Sequence, residues 1–168
     1  MQRTLDGLEE TFWARHANPK SGWTRVPTGA VLVYAVYRRD WRLLLAGLAW
    51  AALNPLAFPP PDSEDAWMTR AVLAERWWVR EEGNGTVGAA YPNVCNAASA
   101  LAFLYAFVAA WRRRPARAGV ATVLASGLKL WWVGVLVRRF DAHRAARTPG
   151  PDAGRATTCR RMREKGCT

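Results

Sequence analysis

The densest set of chemically capable side chains lies between positions 13 and 25. The chain there reads Trp13-Ala14-Arg15-His16-Ala17-Asn18-Pro19-Lys20-Ser21-Gly22-Trp23-Thr24-Arg25. An imidazole, a carboxamide, two hydroxyls and three cations fall within 13 positions. Pro19 disfavours helical backbone at the residue before it, so Asn18-Pro19 predicts a turn that could present His16 and Ser21. Two uses are open to this set. Arg15, His16, Asn18, Ser21 and Arg25 could form a polar site at a membrane boundary, for a lipid headgroup or a partner. The same residues could be an interfacial cap, with arginines on phosphates and Trp13 and Trp23 among headgroups.

Glu75, Asn93, Asn96 and Lys129 complete the candidates. Lys129 is the single charge in an apolar run over 118–137. A lysine near the centre of a span costs about 2.5–3.5 kcal/mol, which a partner, water or snorkelling must offset. Glu75 is the plausible partner, and an anionic headgroup or substrate the plausible ligand. Asn93, Asn96 and Ser99 share a stripe, and Thr122, Ser126 and Lys129 recur at helical spacing. Lipid cannot satisfy such groups, so they predict a polar seam between two helices, with Asn54 nearby. Asp141 and His143 are two residues apart, point apart on a helix, and read as a solvated helix end.

No phosphate-binding glycine loop, nucleophile elbow, paired-cysteine motif or His-Glu-x-x-His helix occurs. Cys95 reads as a small hydrophobe, while Cys159 and Cys167 have neither zinc nor disulfide-framework spacing. Neither a metal nor a cofactor is expected. Asn84-Gly85-Thr86 is a glycosylation sequon, meaningful only in a secretory eukaryotic setting.

These residues are set in 168 positions, room for one domain of ordinary size. The net charge of +11 comes largely from arginine, 21 of 24 basic residues. The arginines sit at the ends of apolar blocks, as in Arg38-Arg39, Arg112-Arg113-Arg114 and Arg138-Arg139. That placement indicates membrane boundaries and not a nucleic-acid surface. Residues 1–25 are polar, with no signal peptide expected. Apolar blocks over 26–37, 43–58, 89–111 and 118–137 predict about four membrane segments. The first is short against the roughly 20 residues a perpendicular span needs. Between the second and third, residues 66–80 predict an amphipathic helix, lying on the bilayer or packed on the bundle. Residues 148–168 read as a flexible basic tail. Four spans place both termini together. The termini and the 62–88 loop hold 16 basic residues against seven in the two short turns, which favours cytoplasmic termini.

The Trp13–Ser21 stretch, with Asn54-Pro55-x-x-Phe58-Pro59, Glu75 and Leu128-Lys129-Leu130-Trp131-Trp132, resembles a family of small multi-pass membrane proteins of unknown function. Its members begin with a Trp-x-x-Arg-His-x-Asn-Pro-x-Ser pattern, and here one residue separates Trp13 from Arg15. The resemblance covers roughly 12–144 and implies a fold class and a location, with no activity. More distantly, the stretch is similar to the His-x-Asn-Pro-x-Asn-x-x-x-His pattern of the 2-hydroxy fatty acid dioxygenases, whose histidines are thought to bind iron. Ser21 and Arg25 stand where that pattern has Asn and the second His. Arginine stays protonated and cannot act as an ordinary ligand. That likeness implies at best a two-histidine, one-carboxylate site from His16, His143 and Glu75.

The expectation is an all-α integral membrane helical bundle of about four segments with an interfacial amphipathic helix. It is a non-enzymatic protein of the cell membrane, partnered by the lipid bilayer, by its own copies or by a membrane partner. Two alternatives stand beside it: a membrane-embedded lipid-modifying enzyme, and a subunit of an anion transporter using Lys129.

Overall fold

A computed structural model describes residues 2–147, and every regular element among them is helical. The expected basic tail over 148–168, with Cys159 and Cys167, lies outside the described residues. The elements are α1 Gln2–His16, α2 Pro19–Arg25, α3 Thr28–Arg38, α4 Trp41–Leu53, a 3-10 turn Asn54–Leu56, α5 Trp67–Arg80, α6 Asn93–Trp111 and α7 Pro115–Arg147.

Local chemistry sets the breaks. Asn18 is extended, and its side-chain oxygen accepts the Lys20 N–H at 2.9 Å, with Pro19 in the first turn of α2. Arg39 closes α3 in the left-handed region, and Asp40 caps α4 by accepting the Leu43 N–H at 3.0 Å. Arg113 is likewise left-handed before Pro115 opens α7.

The four apolar blocks become helices of two kinds. The first two fold as α3 and α4, with 11 and 13 residues. At 1.5 Å per residue these are about 17 and 20 Å long, short of a ~30 Å hydrocarbon core. Only α6 and α7, among the described residues, are long and apolar enough to cross a membrane. α7 runs on for ten residues past the apolar block, to Arg147.

The bundle has two distinct ends. At one, the α3–α4 and α6–α7 turns meet. Arg39 lies 4.6 Å above the Trp111 ring, the Trp41 ring is tilted against Trp111 at 6.5 Å, and Arg113 lies 5.7 Å from Tyr37. Small residues fill the interior next to this end: Ala106, Ala109, Ala110, Ala118 and Ala121 pack with Val33. At the other end α5 packs on the C-terminal half of α7, α2 packs on α5, and α1 packs on the 3-10 turn.

The helix over Trp67–Arg80 has its apolar face taken by α7. Met68, Ala71, Ala74, Trp77 and Trp78 pack with Trp132, Leu136 and Val137. α5 crosses α7 and does not run along it. Arg70 reaches Asp141 at 3.0 Å, while Glu75 comes within 4.0 Å of Lys129. Those two points on α7 are about 18 Å apart along its axis. The run over 118–137 is therefore apolar for two reasons. Val120, Val123, Leu124 and Trp131 are exposed on the outside of the bundle, whereas Trp132, Val135, Leu136 and Val137 are buried, three of them beneath α5.

Gly22 sets how close α2 lies to α5. A Cβ there would fall inside the Met68 side chain. Gly22→Val should therefore destabilise the protein by about 1–3 kcal/mol, the usual cost of overpacking. Melting of the detergent-solubilised variant checks this; an unchanged melting temperature would mean that the α2–α5 approach is not constrained.

Candidate functional site

Below α5, on the side of Glu75, lies a cleft of about 390 Å³. Its polar lining is His16 from α1, Arg25 from α2, Glu75 from α5 and Lys129 from α7. Val26, Trp67, Met68, Leu130 and Val133 supply apolar walls.

Lys129 is held from behind by α6. The Lys129 ammonium donates to Asn96 Oδ1 at 3.2 Å, lies 4.0 Å from Glu75 Oε1 and sits 4.2 Å above the Trp132 ring. Asn96 Nδ2 donates to the Thr86 carbonyl at 2.8 Å, so its oxygen must face α7. Asn93 repeats the arrangement. Its oxygen accepts the Trp132 indole N–H at 3.2 Å, and its nitrogen donates to the Gly85 carbonyl at 2.7 Å. Ser99 donates to the Ala125 carbonyl at 2.8 Å. Positions 93, 96 and 99 thus meet 132, 129 and 125 as successive rungs between antiparallel helices.

Arg25 Nη1 lies 2.8 Å from both ring nitrogens of His16 and donates to the one that carries no proton. Burial first, and the neighbouring Arg25 charge second, lower the His16 pKa to about 4. The ring is therefore neutral near pH 7 and accepts from the guanidinium. Phe12 stacks on it at 5.3 Å and Trp13 meets it edge-on at 5.7 Å. Burial also lowers the Arg25 pKa, and Glu75 opposes that shift. With His16 neutral, the cleft holds two cations against one carboxylate.

The low His16 value has a consequence for stability. Between its unfolded value of 6.5 and its folded value of about 4, the unfolded chain binds more protons. Stability therefore falls as pH drops through this window. Melting temperature should decline from pH 7 to about pH 4.5, and His16→Gln should flatten the decline. An identical slope in the variant would assign the acid sensitivity to other groups.

The remaining candidates fall elsewhere. Asn18 donates to the Pro59 carbonyl at 2.9 Å. Ser21 donates to Asn54 Oδ1 at 2.7 Å, and Asn54, fully buried, donates to Thr24 Oγ1 at 2.8 Å. Asn54 therefore pins α2 to the end of α4 and is not part of the α6–α7 seam. Asn18 and Ser21 position Arg25 without lining the cleft. Arg15 does not line it either; its carbonyl accepts the Asn18 N–H at 3.1 Å. Asp141 pairs with Arg70 at 3.0 Å, and the His143 ring packs 5.1 Å from Trp77 in a separate hollow. Sequence reasoning passed over Trp132 as the floor under Lys129, and over Gly85 and Thr86 as carbonyl anchors. The spacing of Trp132, three residues after Lys129, was the available signal for the first.

These residues do not suit a metal. Arg25 faces both ring nitrogens of His16, and His143 lies in a different hollow. Among the described residues, no group of three or more His, Cys, Asp or Glu could hold an ion.

Comparison with known proteins places the chain. The model of a family of unknown function, DUF6653, matches residues 1–149. The chain belongs to that family. The match includes every helix of the DUF6653 fold described above and every residue of its cleft. No curated protein and no solved structure matches it. The likeness to fatty acid dioxygenases thus has no support from any comparison, and the donor set argues against it.

Proposed function

We propose that the protein is a non-enzymatic integral membrane protein whose cleft binds an anionic lipid headgroup. The observation that carries this reading is the Arg25 and Lys129 pair set against the single carboxylate of Glu75 in an apolar-walled cleft. A phosphate or carboxylate fits between two cations that already carry fixed partners.

Membrane insertion is supported by what the long helices leave uncovered. Only 22% of the apolar window of α6 and 39% of that of α7 are buried, unlike the core helix of a soluble protein. Leu45, Leu53, Leu101, Leu104, Val120 and Val123 are all more than half exposed. Tryptophans border this belt, Trp41 and Trp111 at the arginine turns, Trp23, Trp67 and Trp131 at the level of the cleft. Such rings favour the headgroup region. In this reading α3, α4, α6 and α7 all enter the bilayer, with α3 and α4 in a locally thinned layer. Lys129 then lies at the headgroup level and not at mid-membrane. We place the termini in the cytoplasm on the 16-to-seven basic count.

The test has two stages. Membranes containing the protein are washed with high salt and alkaline carbonate; retention is expected, and release would overturn insertion. Purified protein is then titrated with short-chain phosphatidic acid and short-chain phosphatidylcholine. Preference for the phosphatidic acid, lost in Arg25→Gln, is expected; equal binding of both lipids would overturn the headgroup reading.

One observation favours a second reading, a lipid-modifying enzyme: His16, Glu75 and Lys129 line the same cleft. A neutral His16 could act as a base only if Arg25 released its ring. Turnover of the bound lipid by the wild type, absent in His16→Gln, would replace binding with catalysis.

A further inference from the structure

The headgroup cleft has a neighbour across its apolar wall. Trp67 and Leu130 also line a neighbouring groove of about 470 Å³ on the outer flank of α7. Its floor is Gly127 and Gly134, and a Cβ at either position would meet nothing within 4 Å. Trp131 forms another wall, and Arg138 marks the charged end. Away from Arg138 the same face of α7 continues through Val123 and Val120, 73% and 71% exposed. These positions recur three, four and seven residues apart, so they form one stripe.

Resting on the headgroup reading, we infer that the ligand is a single anionic amphiphile whose alkyl chain lies in the Gly127–Gly134 groove. Its head sits between Arg25 and Lys129. Its chain passes the Trp67–Leu130 wall and follows α7 past Gly127 towards Val123. Three features point to this occupant. The groove adjoins a cleft of net positive charge across the Trp67–Leu130 wall. The two glycines place no side chain where the rest of the face carries Leu130 and Trp131, and leave open space above α7. Arg138 closes the polar direction, so an apolar chain must run the other way. A free phosphate would use the cleft and leave the groove empty.

The test compares inorganic phosphate, butyl phosphate and dodecyl phosphate. Adducts on the full chain are counted by native mass spectrometry in an uncharged detergent. The wild type is expected to hold dodecyl phosphate about tenfold or more tightly than butyl phosphate, because methylenes leave water in the groove. Gly127→Leu fills the groove and should reduce that preference to about threefold or less, with butyl phosphate binding unchanged. Gly134→Leu, on the Arg138 side and off the chain's path, is the control and should leave the preference intact. A chain preference that survives in Gly127→Leu overturns the groove assignment and leaves the anion cleft standing. Inorganic phosphate binding as tightly as dodecyl phosphate also overturns it, by identifying a free anion as the ligand. If none of the three binds the wild type, the headgroup reading itself fails, and this inference with it.

Discussion

Trp132→Ala is expected to destabilise the protein by about 3–5 kcal/mol, the range for deleting a large buried aromatic. Trp132 is fully buried and sits at the crossing of α5 over α7, against Met68, Ala71, Ala74 and Trp78. Its indole N–H satisfies Asn93, and its ring face lies under the Lys129 ammonium. The truncation therefore opens a cavity, frees a carboxamide oxygen and removes the floor of the cleft together. Trp132→Phe keeps much of the volume and loses the N–H. It should cost less, on the order of 1–3 kcal/mol for the unpaired partner. Reversible unfolding followed by near-ultraviolet circular dichroism in detergent measures both. A Trp132→Ala cost below about 1 kcal/mol would mean that the α5–α7 crossing is not the centre of the fold.

The second large effect is electrostatic and has two signs. Lys129→Gln should weaken binding of an anionic headgroup by about tenfold or more, and Glu75→Gln should strengthen it by about tenfold. A charge pair at 4 Å interacts by several kcal/mol at an effective dielectric near 20. The Lys129 and Glu75 side chains are 42% and 29% exposed, so screening reduces this to about 1–2 kcal/mol, near a tenfold change. Opposite signs separate charge from damage, because a merely structural pair would weaken binding in both variants. Titration with short-chain phosphatidic acid reads the result. Weaker binding in Glu75→Gln would show that the carboxylate supports the site and does not compete with the ligand.

What the sequence revealed depended on the range of each interaction. The break before α2 was legible, because proline and an Asn cap act over three residues. The proximity of Lys129 and Glu75 was legible too, since a charge in an apolar run needs a partner. The separation of Asn18 and Ser21 from His16 and Arg25 was not. All four lie within one short motif, and only the distant Asn54 and Pro59 turn the first pair away. The two environments within 118–137 were not legible for a related reason. Hydropathy cannot separate a residue facing outward, such as Val123, from one covered by a crossing helix, such as Leu136. Lys129 lies between the two environments, held by Asn96 and 4.0 Å from Glu75.

The lipid retained by the protein through purification is the most direct test of the central claim. Wild type and the Arg25→Gln/Lys129→Gln double variant are purified from the same membranes in a mild uncharged detergent, and their bound lipids are quantified by mass spectrometry. The account predicts one class of anionic lipid enriched on the wild type and lost from the double variant, with neutral lipids equal on both. The same anionic lipid complement on a correctly folded double variant would contradict it.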